Sequence, residues 1–186
     1  MRGSIFTGGA TQTHGKRQGE DYYATPPTTT KLFLDSFDLS KFKNILEPSC
    51  GGGYMAEVIK EYYPNANIDC TDLIDRGYGQ GGIDFLNHNF DKQYDLVITN
   101  PPFKLAKEFI EKALEVSNDT VIMLAKIQLL ESEDRKDFLK NSCLKYIYGH
   151  SKRQSCWKNG DSINPNTGKQ WSGAMMLAWY VFERGV

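Results

Sequence analysis

The run Tyr94-Asp95-Leu96-Val97-Ile98-Thr99 reads as a strand and ends in Asn100-Pro101-Pro102-Phe103. An asparagine side-chain oxygen and the carbonyl of the proline after it are two acceptors held close together. Pro101 has no N–H to compete with an incoming donor, and both rings fix φ near about −65°, so the turn is stiff before anything binds. The Phe103 ring offers a face to a flat group. These features suit a planar amino group with two N–H donors, either an exocyclic nucleobase amine or a primary amide. The same residues also read as an ordinary strand-ending turn, because Asn-Pro and Pro-Pro punctuate turns.

Positioning such a turn requires a scaffold, and the hydrophobic pattern describes one. Asp21 to Pro27 leads into a short helix, with Pro27 in its first turn and Leu32, Phe33 and Phe37 turned inward. Ile45-Leu46 is a short buried strand. Tyr54, Met55, Val58, Ile59, Tyr62 and Tyr63 then recur at helical period until Pro64. Ile68 to Thr71 is the second strand, Ile83 to Leu86 a fragment of a third, and Tyr94 to Thr99 the fourth. An amphipathic helix spans Leu105 to Ser117. A nearly all-apolar strand, Thr120 to Ala125, is the pattern of a sheet covered on both faces. A helix over Asp134 to Leu139, a strand over Leu144 to Tyr148 and a closing strand over Ala174 to Phe182 complete the reading. Strands alternating with helices predict an α/β fold with a largely parallel sheet.

The chain has 186 residues, 40% hydrophobic and 24% charged, which is ordinary for one globular domain. Residues 1 to 20 are polar and read as a flexible arm. Residues 21 to 186 read as a single domain whose polar, turn-rich 151 to 173 segment is a substrate-facing loop insertion. Cys50, Cys70, Cys143 and Cys156 form no C-x-x-C pair, so no metal site is expected. No apolar run approaches membrane-spanning length and no leader pattern is visible, so a reduced, cytoplasmic protein with no membrane partner is expected. Net charge is −1, so any nucleic-acid affinity must come from local clusters.

Gly51-Gly52-Gly53 follows the first central strand and opens a helix, where backbone must approach a ligand closely. It is neither G-x-G-x-x-G nor a P-loop, which argues against a dinucleotide or a nucleoside triphosphate. Acids stand at successive strand ends: Glu47 beside the glycine loop, Asp72 after the second strand, and Asp84 next to Phe85. Asp72 lies 25 residues beyond Glu47, near the spacing at which an acid accepts ribose hydroxyls. Each acid alone reads as a solvated strand end; in order, together, they suit a nucleoside cofactor without phosphates. Asp75 is a second choice to Asp72.

With these motifs the chain resembles the class I S-adenosylmethionine-dependent methyltransferases, and within them the branch acting on exocyclic amines, adenine N6 in DNA above all. The residues carrying the resemblance are Thr25-Pro26-Pro27, Glu47-Pro48-Ser49-Cys50-Gly51, Asp72, Asp84-Phe85-Leu86 and Asn100-Pro101-Pro102-Phe103. The resemblance implies a Rossmann-like, doubly wound, mostly parallel seven-stranded sheet with an antiparallel last strand. It implies S-adenosylmethionine as cofactor, held by Tyr23, Thr25, Pro26, Glu47, Pro48, Ser49, Cys50, Gly51, Asp72, Leu73, Asp84, Phe85 and Asn100. Glu47 and Asp72 would orient the amino-acid and ribose portions, and Asp84 the adenine amine. Asn100 and Pro101 would accept from the target amine, with Pro102 stiffening the turn and Phe103 stacking on the target ring. No covalent nucleophile is needed, so Cys50 has no catalytic part, and His88 and His150 are bases by residue type only.

The implied partner is nucleic acid, with DNA ahead of RNA, as in small phage and prophage enzymes. The oligomeric state is open. Lys152, Arg153, Lys158 and Lys169 set against Asp161 leave residues 151 to 173 at net +3, with Trp157 and Trp171 interleaved. With Lys104 after the turn they form the candidate substrate-binding set, and Lys16, Arg17 and Lys107 add possible phosphate contacts. The same turn serves RNA-base and protein glutamine-amide methyltransferases. A non-catalytic cofactor-binding subunit is a further alternative.

Overall fold

The computed structural model describes residues 22–131, 133–171 and 176–184. The residue 1 to 20 arm, with Lys16 and Arg17, lies outside them, as do the last two residues of the 151 to 173 insertion. The elements in chain order are β1 (Tyr23–Ala24), α1 (Pro27–Leu34), β2 (Asn44–Glu47), α2 (Tyr54–Tyr62), β3 (Asn67–Cys70) and β4 (Tyr94–Thr99). A 3-10 turn (Phe103–Leu105) leads into α3 (Ala106–Val116), followed by β5 (Ser117–Lys126), α4 (Glu133–Asn141) and β6 (Leu144–Gly149). Three two-residue strands, β7 (Trp157–Lys158), β8 (Ile163–Asn164) and β9 (Lys169–Gln170), precede β10 (Leu177–Glu183).

Six strands form one sheet in the order β3-β2-β4-β5-β10-β6. β2 pairs in parallel with β3 and β4, and β4 in parallel with β5, while β10 runs antiparallel to both β5 and β6. Alternation along the central strands sends side chains to two cores. Tyr94, Val97, Val121, Met123, Tyr180 and Phe182 pack with Phe109, Ile110 and Ala113 of α3 on one face. Leu96, Ile98, Ile122, Leu124, Trp179 and Val181 pack with Phe33, Met55, Val58 and Ile59 of α1 and α2 on the other. The period-2 strands thus feed two helical layers, giving the doubly wound arrangement.

The expected seventh strand does not form among the described residues: Ile83 to Leu86 lies in a loop. Its place beside β3 is taken by a single parallel bridge, Thr71 to Gln80, in which the Gln80 N–H donates to the Cys70 carbonyl at 2.8 Å. Gly77, Gly79 and Gly82 all hold positive φ there, and Asp84 uses its carboxylate to cap the turn that follows, accepting from the Leu86 N–H and from Asn87 Nδ2. A chain that turns so often has no length left to pair. Leu32, expected inward, is 51% exposed, whereas Phe33 beside it is buried.

Candidate active site

The strand order reverses between β2 and β4, which start the two halves of the sheet, and in such sheets the crevice beyond the strand ends at the reversal is where ligands bind. β2 delivers Glu47 and the glycine loop to that edge; β4 delivers Asn100 and Pro101. The loop is stitched in place by the Cys50 N–H donating to the Thr71 carbonyl at 3.0 Å and the Gly53 N–H donating to the Cys50 carbonyl at 2.8 Å. Gly51 holds φ at +54°, and a Cβ there would stand 2.7 Å from the Tyr22 ring, so only glycine fits.

Asp72 joins the glycine loop to the end of β3. Its Oδ2 accepts from the Gly51 N–H at 2.8 Å and its Oδ1 from the Ile74 N–H at 3.0 Å, and each oxygen keeps a further lone pair. Glu47 is 2% exposed, and burial, with the Asp72 charge adding to it, pushes its carboxyl up to about 8. Its Oε2 has no partner among the described residues, nor have the buried hydroxyls of Thr25, Thr71 and Thr99. Burial also pushes the Cys50 thiol up to about 12, leaving it unreactive at neutral pH. A buried carboxyl oxygen lacking a partner, beside a glycine cradle with no phosphate-binding signature, fits the ammonium end of an amino-acid-bearing nucleoside.

Asn100 lines the same crevice as Thr25, Glu47, Cys50 and Gly51. Its Nδ2 donates to the Tyr23 carbonyl at 2.9 Å and approaches Cys156 Sγ at 3.8 Å. A carbonyl can only accept, so this contact decides which end of the amide is nitrogen and turns Oδ1 away from it. Pro101 is buried behind the turn and Pro102 exposed. The Phe103 ring is half-buried, with Lys126 Nζ 5.0 Å from its centroid.

Pro26 precedes α1, and its carbonyl accepts from the Thr29 N–H; Pro48 is buried and Ser49 faces the crevice. Tyr23 is 41% exposed, with its carbonyl rather than its ring at the site. Leu73 is 60% exposed. The Phe85 ring is buried against Phe109 in the α3-side core. Lys104, Lys152, Arg153 and Lys169 are exposed. Trp157 packs edge-on to Tyr54 at 5.7 Å, Lys158 pairs with Tyr23, and Trp171 Nε1 donates to the Asp161 carbonyl at 2.7 Å. His88 packs edge-on to Phe90, and burial lowers His150. Among the described residues no cluster of His, Cys, Asp and Glu is arranged to hold a metal.

Four residues at the site carry no motif of their own. Tyr22 meets Gly51, Cys156 meets Asn100 and Asn159 meets Tyr22 only through tertiary folding, and Lys126 is simply the last residue of β5. A larger cavity of about 460 Å³ runs along the free edge of β3, lined by Asp69, Cys70, His88 and Lys92 among others. It touches neither Asn100 nor Glu47; the convergent polar groups stand in the smaller crevice.

No family model matches the chain. Over 107 residues it is 27% identical to the modification methylase CviBIII of Paramecium bursaria Chlorella virus NC1A, a match covering 50% of this chain and 28% of that protein. Over 89 residues it is 29% identical to the ribosomal RNA small subunit methyltransferase C of Haemophilus influenzae (strain PittEE), covering 41% of this chain and 27% of that protein. The matches thus span under a third of the length of these curated relatives. In fold it is similar to the methyltransferase subunit of a type I restriction-modification system from Streptococcus thermophilus, with a TM-score of 0.64, 11% identity, and coverage of 89% of this chain and 46% of that one. In sequence and in fold, the chain resembles the class I S-adenosylmethionine-dependent methyltransferases, DNA-modifying ones among them.

Proposed function

We propose that this chain methylates the exocyclic N6 amine of adenine in DNA, with S-adenosylmethionine as cofactor. The observation that carries the reading is the anchored amide of Asn100. With its nitrogen committed to the Tyr23 carbonyl, its oxygen is left to accept, as the Pro101 carbonyl is. Two fixed acceptors draw the two N–H groups of an amine toward themselves, moving the nitrogen toward sp³ and placing negative density where positive charge develops. The buried Glu47 carboxyl and the Gly51 cradle hold the other reactant across the same crevice. When bound, S-adenosylmethionine supplies a methyl group on a cationic sulfur; N–C bond formation, C–S cleavage with the electron pair left on sulfur, and loss of one N6 proton to solvent balance the reaction.

In duplex DNA the base must leave the stack, at a cost of a few kcal/mol, and stacking on Phe103 returns about 1–3 kcal/mol. The ribosomal RNA methyltransferase among the relatives supports an RNA base amine as the second reading. The test is transfer of tritiated methyl from S-adenosylmethionine to adenine-unmethylated DNA, with nuclease digestion of the labelled product. Label in DNA as N6-methyladenine is expected. Asn100→Ala should lower kcat by about 100- to 1,000-fold, the range for removing one such electrostatic contact, while cofactor binding persists. Label in RNA or protein with none in DNA would reject the reading.

A further inference from the structure

The strap Tyr22–Ala24 lines the crevice, and the insertion after β6 holds it there. β1 pairs antiparallel with β7, Tyr23 opposite Lys158 and Ala24 opposite Trp157. Asn159 carries that ladder one residue further. Its N–H donates to the Tyr22 carbonyl at 2.9 Å, and its Oδ1 accepts from the Tyr22 N–H at 3.3 Å. Asn159 does this at φ +54°, a left-handed conformation that asparagine tolerates better than most side chains. The next residue, Gly160, accepts from the Tyr54 hydroxyl at 3.2 Å, and a Cβ there would meet the Tyr22 and Tyr54 hydroxyl oxygens at 2.8 Å.

Two consequences reach the site through this ladder, which Asn159 extends to Tyr22. The Tyr22 ring is laid against Gly51 of the cofactor loop, with the Arg76 guanidinium 4.2 Å from the ring centroid. The Tyr23 carbonyl, next along the strap, is brought to Asn100 Nδ2. Beneath the closed strap the crevice holds about 20 Å³. An enclosed small-molecule site offers about 300–1,000 Å³. With so little room, seating a nucleoside there calls for the strap to move.

We infer that Asn159 is a positioning residue that latches the Tyr22–Ala24 strap over the cofactor crevice and, through the Tyr23 carbonyl, sets which atom of the Asn100 amide faces the target. The second half rests on the N-methyltransferase reading above; the first needs only that the crevice binds the cofactor. Release of Oδ1 lets the strap lift more often, so cofactor exchange speeds up. It also loosens the carbonyl that orients Asn100, so turnover slows without any loss of target affinity.

Two substitutions separate this role from a general loosening of the fold. Asn159→Gly keeps the positive φ and the backbone bond but removes the side-chain acceptor; Asn159→Asp keeps an acceptor at the same place. The measurements are exchange of tritiated S-adenosylmethionine by rapid filtration, and kcat and KM on unmethylated DNA. Asn159→Gly is expected to release cofactor about threefold to tenfold faster and to lower kcat by a similar factor, the range of one net hydrogen bond, with KM for DNA unchanged. Asn159→Asp is expected to restore both. Tyr22→Leu keeps both backbone bonds to Asn159 but removes the ring from Gly51; it should also speed exchange, so the strap's hold on the cofactor is tested even if Asn159→Gly fails to fold. Wild-type exchange rates in the folded variants overturn the inference. A wild-type protein that exchanges cofactor yet methylates no DNA overturns the substrate reading instead, while the exchange rates still decide the latch.

Discussion

Glu47 is a buried acid at the edge of the crevice. Its carboxyl sits at about 8 in the folded protein against 4.5 for the free group, chiefly because burial penalises the charge. Between those two values the folded chain keeps a proton that the unfolded chain has released. Stability is then lost as pH rises, by roughly 1.4 kcal/mol per pH unit from this group, and the loss levels off above about 8. Glu47→Gln has no proton to lose. Its melting temperature should therefore gain on that of the native protein steadily between pH 5 and 8, read by thermal melts across that range. Parallel curves would mean that Glu47 is ionised in the folded state. On the proposed reading the same carboxyl is both core and site: neutral, it packs; facing the cofactor's ammonium, it would ionise. Asn100 shows the complementary principle, an amide whose nitrogen is engaged so that its oxygen is the end left to accept.

At the scale of elements, the strands and helices that build the crevice were legible, because burial on both faces leaves a strong pattern. β2, α2, β4, α3, β5 and β10 all fall within a few residues of where the periodicity places them. Ile83 to Leu86 misled for a physical reason: an apolar triplet around Asp84 resembles a strand, yet Phe85 reaches the core from a turn that Asp84 caps. The strap and its latch were invisible, since Tyr22 and Asn159 are 137 residues apart and no periodicity links them. The short β7 was likewise illegible, because two residues carry no alternation to count. β10 joins the layers through Trp179, fully buried and stacked on Phe33 of α1 at 4.5 Å. Trp179→Ala should cost about 3–5 kcal/mol by denaturant titration, as expected for emptying an aromatic site in a packed core. A loss below about 1 kcal/mol would mean that β10 and α1 do not share one cooperative core.

Across the whole molecule the charge is nearly balanced, at −1, so attraction to a polyanion has to be local. The topology supplies the locality. β6 and β5 both run antiparallel to β10 and hence parallel to β4, so their carboxyl ends lie on the same edge of the sheet as Asn100. Lys126 ends β5, and Lys152 and Arg153 follow β6 directly, exposed. The lysines of α3 differ, since Lys107 pairs with Glu111 and Lys112 with Glu115 along the helix surface. On the proposed reading, the cations at the strand ends would meet phosphates flanking a base delivered to the turn, whereas those of α3 are paired along the helix. Binding of duplex DNA should weaken with salt, and every phosphate that goes without its cation should reduce the log–log slope by about 0.9. The double variant Lys152→Ala, Arg153→Ala should therefore flatten the slope by about 2 between roughly 50 and 200 mM salt, while Lys112→Ala leaves it unchanged. Fluorescence anisotropy of a labelled duplex measures both. Equal slopes for the native protein and the double variant would move the nucleic-acid face away from the insertion and back onto the turn itself.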